Sequence, residues 1–278
     1  MICDSAFRWQ FGLKTIHIPN SVTQIGENAF SSCSSLQSIH IPNSVTDIGI
    51  NPFLHCPQLR LTSDSPHFKV INGLLISSDG TLISCLSKDT HIHLPNSVTQ
   101  IGKNAFSWCK ALQSIHIPNS VTQIGDSAFY DCEALQSIHI PNSVTQIGVF
   151  AFYKCEALQS IHISNSVTQI GDSAFSSCYS LQSIHIPNSV TQIGVYAFYK
   201  CEALQSIHIP NSVIQIGKSA FSECYALQDI YIPNSVTQIG KDAFWSCRSL
   251  QTIHIPKGSM EKFMQLLPEE FHDKLVEI

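Results

Sequence analysis

The chain has 278 residues, of which 44% are hydrophobic and 13% are charged, and its formal net charge is −5. The scarcity of Lys and Arg argues against nucleic-acid binding, which needs clustered basic side chains. No apolar run reaches the length of about 18 residues that a membrane span needs. The first residues lack a basic region followed by an apolar run, so no signal peptide is expected in this chain.

A segment of 23 residues recurs along the chain and is clearest in residues 112–134, which read LQSIHIPNSVTQIGDSAFYDCEA. A fixed period of this size predicts a solenoid, in which each repeat contacts only its neighbours. The leucine that opens the repeat stands at Leu13, Leu36, Leu59, Leu112, Leu135, Leu158, Leu181, Leu204, Leu227 and Leu250. Because a solenoid grows turn by turn, the length of the chain gives no count of domains.

Each repeat opens with a predicted strand, as in residues 36–41. The two-residue alternation directs its Leu and Ile side chains inward and Ser38 and His40 outward. Proline ends the strand because it has no N–H to donate to a ladder. The Ala-Phe-x-x-Cys spacing that follows predicts a single helical or 3-10 turn on the opposite side.

Nine of the eleven cysteines share one position of the repeat, which favours an interior column of thiols over a disulfide framework. A zinc site usually needs paired spacings such as Cys-x-x-Cys, and none is present. We therefore predict no metal and no cofactor. The nine residues are Cys33, Cys56, Cys109, Cys132, Cys155, Cys178, Cys201, Cys224 and Cys247.

Two segments depart from the repeat. Residues 59–91 contain two apolar runs around Ser78-Asp79-Gly80, which predicts a β-hairpin inserted near 63–91 and projecting from the solenoid. Both a functional insertion and a neutral loop expansion fit that segment. Residues 257–278 have helical spacing after Ser259 and again after Pro268, which predicts a helical cap on a solenoid of residues 1–256 with roughly ten to eleven turns.

The pattern Leu-x-x-Ile-x-Ile-Pro-x-x-Val-x-x-Ile-Gly-x-x-Ala-Phe-x-x-Cys resembles the BspA-type leucine-rich repeat, most clearly in residues 13–58 and 112–256. The resemblance implies an α/β, mainly β, right-handed solenoid with parallel strands on the concave face and short helical or 3-10 turns on the other. Members of this family are often bacterial or parasite surface proteins linked to adhesion. A cell-surface or secreted location is therefore implied, while the missing signal peptide leaves a cytoplasmic location open.

Stacked turns would bring the outward strand residues into one file of histidines, accompanied by serines two positions earlier. Such side chains offer hydrogen-bond donors and acceptors without a fixed charge. We therefore predict a binding strip on the strand face. Its candidate residues are Ser114, His116, Ser137, His139, Ser160, His162, Ser183, His185, Ser206, His208, Asp229 and Tyr231.

The leading hypothesis for function is a non-enzymatic protein-binding module for adhesion or cell-surface recognition, with a protein as partner and a glycan less favoured. No catalytic motif is present, and Asp229 near His208 and His254 lacks an identifiable nucleophile. The alternative is a structural spacer without a ligand, because the strand face is nearly uniform. A weaker alternative is a His-lined strip that responds to metal or pH, although a straight file offers fewer ligands than zinc requires.

Overall fold

The computed structural model describes residues 1–278 as a solenoid of about eleven turns, built almost entirely from short strands and tight turns. A regular turn contains a strand of three or four residues, a second strand of two residues, and a returning segment of turns. The expected mainly β solenoid with a 23-residue period and parallel strands is therefore confirmed. The helices of the chain lack the length and the apolar character of a membrane span.

The elements are given in chain order. They are β1 Gln24–Ile25, β2 Ser38–Ile41, β3 Asp47–Ile48, β4 Arg60–Ser63, β5 Phe68–Ile71, β6 Leu74–Ser77, β7 Thr81–Cys85, β8 His91–His93, β9 Gln100–Ile101, β10 Ser114–His116, β11 Gln123–Ile124, β12 Ser137–His139, β13 Gln146–Ile147, β14 Ser160–His162, β15 Gln169–Ile170, β16 Ser183–His185, β17 Gln192–Ile193, β18 Ser206–His208, β19 Gln215–Ile216, β20 Asp229–Tyr231, β21 Gln238–Ile239, β22 Thr252–Ile255, α1 Met260–Leu266, a 3-10 helix Glu269–Lys274 and β23 Leu275–Glu277.

The strands form two parallel ladders. The longer strands pair from turn to turn, as at Ile138 and Ile161, and the two-residue strands form a second ladder, as at Ile147 and Ile170. The ladder of longer strands is interrupted at the insertion, between β4 and β8, and again between β16 and β18. The turns remain stacked at the second of these breaks, since the N–H of Gln205 still donates to the carbonyl of Gln182 at 3.4 Å.

Two columns of repeated side chains, phenylalanine and cysteine, fill the core on either side of the inserted strands. Phenylalanine rings stack from Phe106 to Phe244 with centroids 4.9–5.7 Å apart and planes within 10° of parallel. In eight turns the cysteine thiol donates to the phenylalanine carbonyl of the preceding turn at 3.0–3.2 Å. The predicted interior column of free thiols is thus confirmed, with Cys109 only half-buried. Burial raises the pKa of Cys56 and of Cys247 to about 12.

The helical turns expected opposite the strands do not form as helices. The returning segment 148–155 is a series of overlapping turns, whose N–H groups reach back three residues at 3.1–3.3 Å. Phe150 and Lys154 have φ values of 56° and 57°, which interrupt any right-handed helix. The turns are packed so closely that a Cβ on Gly148 would lie 2.5 Å from the backbone nitrogen of Asp126.

The inserted segment does not project from the solenoid, as the sequence had led us to expect. β5, β6 and β7 form an antiparallel meander, and β7 then pairs in parallel with β9, so that the insertion continues the second ladder. The reason is its composition, since Leu74, Leu75, Ile76, Leu82 and Ile83 are all buried. These strands divide the core into an N-terminal cluster of 18 buried residues and a C-terminal cluster of 64.

The C-terminal cap contains a strand that the sequence did not reveal. After α1 and the 3-10 helix, β23 pairs in parallel with β22, with Leu275 opposite Ile253. The ring of Phe271 packs edge-on against Phe244, with centroids 6.1 Å apart. Ser259 precedes α1, as predicted, but makes no side-chain capping hydrogen bond; its hydroxyl donates to the carbonyl of Pro256 instead.

Candidate functional site

The predicted site residues lie side by side on one face of the ladder of longer strands. We call their surface, the outward side chains of β10, β12, β14, β16, β18 and β20, the strand strip. In β12, β14, β16 and β18 the Ser and His are exposed and the Ile between them is buried, as the alternation requires. Ser114, Asp229 and Tyr231 are half-buried members of the same strip.

Register holds the side chains of the strand strip in files. His139 lies opposite His162, which lies opposite His185, and the serines pair in the same way. The imidazoles of His139 and His162 stack with centroids 4.8 Å apart and planes 5° from parallel. Beyond the break between β16 and β18, His208 on β18 stacks on Tyr231 on β20 with centroids 4.6 Å apart. The strip therefore presents an ordered row of imidazole rings and hydroxyls, with Asp229 as its one carboxylate.

Carboxylates lie beside histidines only at the two ends of the strand face. At the N-terminal end, Nε2 of His40 lies 3.2 Å from a carboxylate oxygen of Asp64, and its Nδ1 lies 3.0 Å from the Thr62 hydroxyl. At the C-terminal end, Nε2 of His254 lies 3.7 Å from the carboxylate of Asp229. The centre of the strip thus differs chemically from both ends.

Sequence reasoning missed the residues of β4 that extend the strand face. Arg60 pairs with Ser38 and Thr62 with His40, so β4 aligns one residue out of step with the 23-residue period. The buried Leu61, which takes the place of Ile39 in the core, was the signal that could have revealed this alignment.

The strand strip offers no site for a tightly held metal ion. No group of three or more His, Cys, Asp or Glu side chains converges anywhere in the chain. Stacked imidazoles on parallel strands point in the same direction, whereas a zinc site needs ligands that converge.

The aromatic residues on the returning side pack against one another between turns. The rings of Tyr130 and Tyr153 stack at 4.9 Å, and Lys110 lies over the ring of Trp108 at 5.1 Å. This packing supports a structural role for these rings rather than a set of free anchors for a partner.

On the returning side, Glu223 is the centre of a cluster of hydrogen-bonded and charged side chains. The carboxylate of Glu223 accepts hydrogen bonds from Tyr199 at 2.7 Å and Tyr225 at 2.6 Å, and it lies 3.8 Å from Nζ of Lys200. Burial acts to raise the pKa of Glu223, but these hydrogen bonds and the lysine together hold that pKa below its usual value.

The fold is similar to solved structures of bacterial leucine-rich repeat proteins. A leucine-rich repeat protein from Eubacterium ventriosum is 29% identical over 80% of this chain and 67% of its own, with a TM-score of 0.65. One from Bacteroides ovatus is 26% identical over 100% of this chain and 87% of its own, with a TM-score of 0.62. A leucine-rich cell surface protein from Faecalibacterium prausnitzii is 27% identical over 95% of this chain and 84% of its own, with a TM-score of 0.50.

No curated protein matches the chain significantly. The model of the BspA-type leucine-rich repeat region matches in six copies, over residues 1–73, 83–204 and 168–266. These matches cover most of the chain, including the strand strip. Such repeats suggest a protein-interaction or surface module, and the solenoid family is in general not enzymatic. The repeat, the stacked fold and these matches together show that the chain belongs to the BspA-type leucine-rich repeat family.

Proposed function

We propose that the chain is a non-enzymatic binding module that recognises a host or cell-surface protein through the strand strip, in adhesion or cell-surface recognition. The observation that supports this proposal is the alignment of exposed Ser and His side chains over successive turns. Most backbone N–H and C=O groups of these strands are hydrogen-bonded to the neighbouring strands, so a partner would contact the outward side chains.

The dimensions of the strip suit a protein partner. Strands stack at about 4.8 Å, so the six strands of the strip extend for roughly 25 Å, and the whole strand face is about twice as long. The whole strand face is long enough for an ordinary protein interface, which buries roughly 800 Å² on each partner. A surface location is supported by the F. prausnitzii structure, which is described as a cell surface protein.

The test is a binding screen against immobilised host extracellular-matrix proteins, with and without a chelator. The variant H116D/H139D/H162D places three carboxylates in successive turns of the strip, on β10, β12 and β14. We expect it to weaken any saturable binding at least tenfold, which corresponds to about 1.4 kcal/mol.

The second ladder supplies a matched control. Gln123, Gln146 and Gln169 are exposed in the same three turns but on the other ladder. The variant Q123D/Q146D/Q169D adds the same charge and should bind as the parent does. An equal loss in both triple variants, or no loss in either, would contradict recognition through the strip.

A spacer that displays other parts of a longer protein is the second candidate. It is favoured by the uniformity of the strip, where the Ser and His of β12 recur unchanged in β14, β16 and β18. A spacer predicts a folded, monodisperse chain that binds none of the immobilised proteins or glycans. Binding that disappears with the chelator would instead favour the His-lined, metal-responsive strip.

A further inference from the structure

A pocket of about 410 Å³ opens on the returning side of the solenoid, away from the strand strip. It lies where the inserted strands interrupt the stack of turns. Three chain segments line most of it, residues 53–58, 84–89 and 107–112, together with Asn51 and Ile92.

The pocket exists because one turn of the stack is incomplete. In a regular turn, alternate N–H groups donate to carbonyls of the following turn, as Phe30 does to Pro52 and Ser32 to Leu54, both at 2.8 Å. The equivalent N–H groups one repeat later belong to Phe53 and His55, and neither has a hydrogen-bond acceptor. The turn that should follow residues 49–56 is missing at this place.

The end of β7 supplies only half of the missing turn. The N–H of Cys85 donates to the carbonyl of Ala105 at 2.7 Å, which is the bond that a phenylalanine makes in a regular turn. The chain then turns away, because the N–H of Leu86 donates to Gly73. The carbonyl of Ser107 is left without a donor, so the second half of the missing turn is open space.

Side chains close the pocket at two sides. Nδ2 of Asn51 crosses the gap to the carbonyl of Asn104 at 2.6 Å. The rings of His55 and Trp108 meet at the outer surface, with centroids 5.2 Å apart. The result is a half-enclosed cavity of the size that small molecules occupy in proteins.

Two buried polar atoms in the lining have no partner. Oδ1 of Asn51 and Oγ of Ser84 make no hydrogen bond, although these residues are only 2% and 1% exposed. The Ser84 hydroxyl can donate to an oxygen atom of a bound molecule, whereas Oδ1 of Asn51 is an amide oxygen and can only accept.

We propose that this pocket binds a small organic acid with an apolar or aromatic body. The free N–H groups of Phe53 and His55 and the Ser84 hydroxyl would donate to its oxygen atoms. Leu54, Ile92 and Leu112 supply an apolar wall.

The charges at the mouth distinguish an acid from a neutral molecule. Lys88 is exposed and forms no ion pair, so its charge is available to a carboxylate. The neighbouring Asp89 accepts a hydrogen bond from the Ser87 hydroxyl at 2.9 Å, and Lys110 is bound to Glu133 and Asp131. Lys88 is therefore the group that would select the acid.

The test is isothermal titration calorimetry of the full chain with phenylacetate and with the neutral phenylacetamide. We expect saturable binding of phenylacetate with a Kd below about 1 mM, and at least tenfold weaker binding of the amide. Lys88→Gln should weaken phenylacetate to the level of the amide and leave the amide unchanged. Lys88 is on the surface, so this variant should fold as the parent does.

A second pair of variants locates the binding. Ala111 is exposed at the mouth, and Ala111→Trp should fill it and weaken phenylacetate at least tenfold. Ala134 holds the same position one repeat later, where the stack of turns is complete, so Ala134→Trp should bind as the parent does. The proposal would be overturned by an absence of saturable heat, by equal affinity for acid and amide, or by equal losses in the two tryptophan variants.

Discussion

Replacement of Phe175 by alanine tests whether the stacked phenylalanine column holds the turns together. Phe175 is fully buried, and its ring stacks on Phe152 at 5.3 Å and on Phe198 at 5.5 Å. Truncation of a buried phenylalanine to alanine costs about 3–5 kcal/mol, from lost transfer free energy and from the cavity that remains. Because a solenoid turn is supported only by its neighbours, we expect a loss of about 4 kcal/mol.

The measurement is guanidinium unfolding followed by circular dichroism, with hydrogen exchange to locate the weakened turns. Phe175→Leu keeps most of the side-chain volume and should cost less than about 1.5 kcal/mol. Tyr179→Ala, in the same turn but half-exposed and in no ring stack, is the matched control. A loss for Phe175→Ala below about 1.5 kcal/mol, or one no larger than that of Tyr179→Ala, would refute the assignment of stability to the column.

Three further predictions concern the thiols, the close approach of turns and the Glu223 cluster. A thiol reagent should label Cys3 rapidly in the native protein and the other cysteines only slowly or on unfolding, because the thiols of the interior column are enclosed and have raised pKa values; rapid labelling of all eleven would contradict this. Gly148→Ala should lower the free energy of unfolding by about 2–3 kcal/mol, measured by denaturant titration, because the added methyl meets backbone at 2.5 Å; an unchanged midpoint would contradict the packing. The pKa of Glu223 is lower in the folded than in the unfolded state, so its ionised carboxylate stabilises the fold above the unfolded pKa, and this stabilisation is lost as the pH falls. Glu223→Gln should therefore lower the free energy of unfolding at pH 7 by about 1–2 kcal/mol and make unfolding less dependent on acid. An equal effect at every pH would argue against this.

The regular part of the fold could be predicted because every position repeats its environment. The alternation of Ser, Ile and His decides which side chains face outward, and the 23-residue offset decides which of them become neighbours. The second ladder was not foreseen, since a two-residue strand such as Gln146–Ile147 has no measurable periodicity.

The irregular parts depended on partners that are distant in sequence. The hairpin of β6 and β7 could be recognised from its turn, but the third strand, β5, was not predicted, and the place of the insertion in the second ladder depends on pairing between Leu82 and Ile101. β23 is recognisable only once β22 is known to present a free edge. The pocket follows from hydrogen-bond acceptors that are missing beside Phe53 and His55, and no local sequence pattern indicates a missing partner.

The division of the core at the inserted strands also has a mechanical consequence. The N-terminal cluster of 18 buried residues is much smaller than the C-terminal cluster of 64, so it resists a pulling force less. A chain stretched from its ends would therefore first extend its N-terminal turns, and about 70 residues would release roughly 200 Å of slack. The strand strip would stay folded meanwhile, because the buried residues of all its strands belong to the C-terminal cluster.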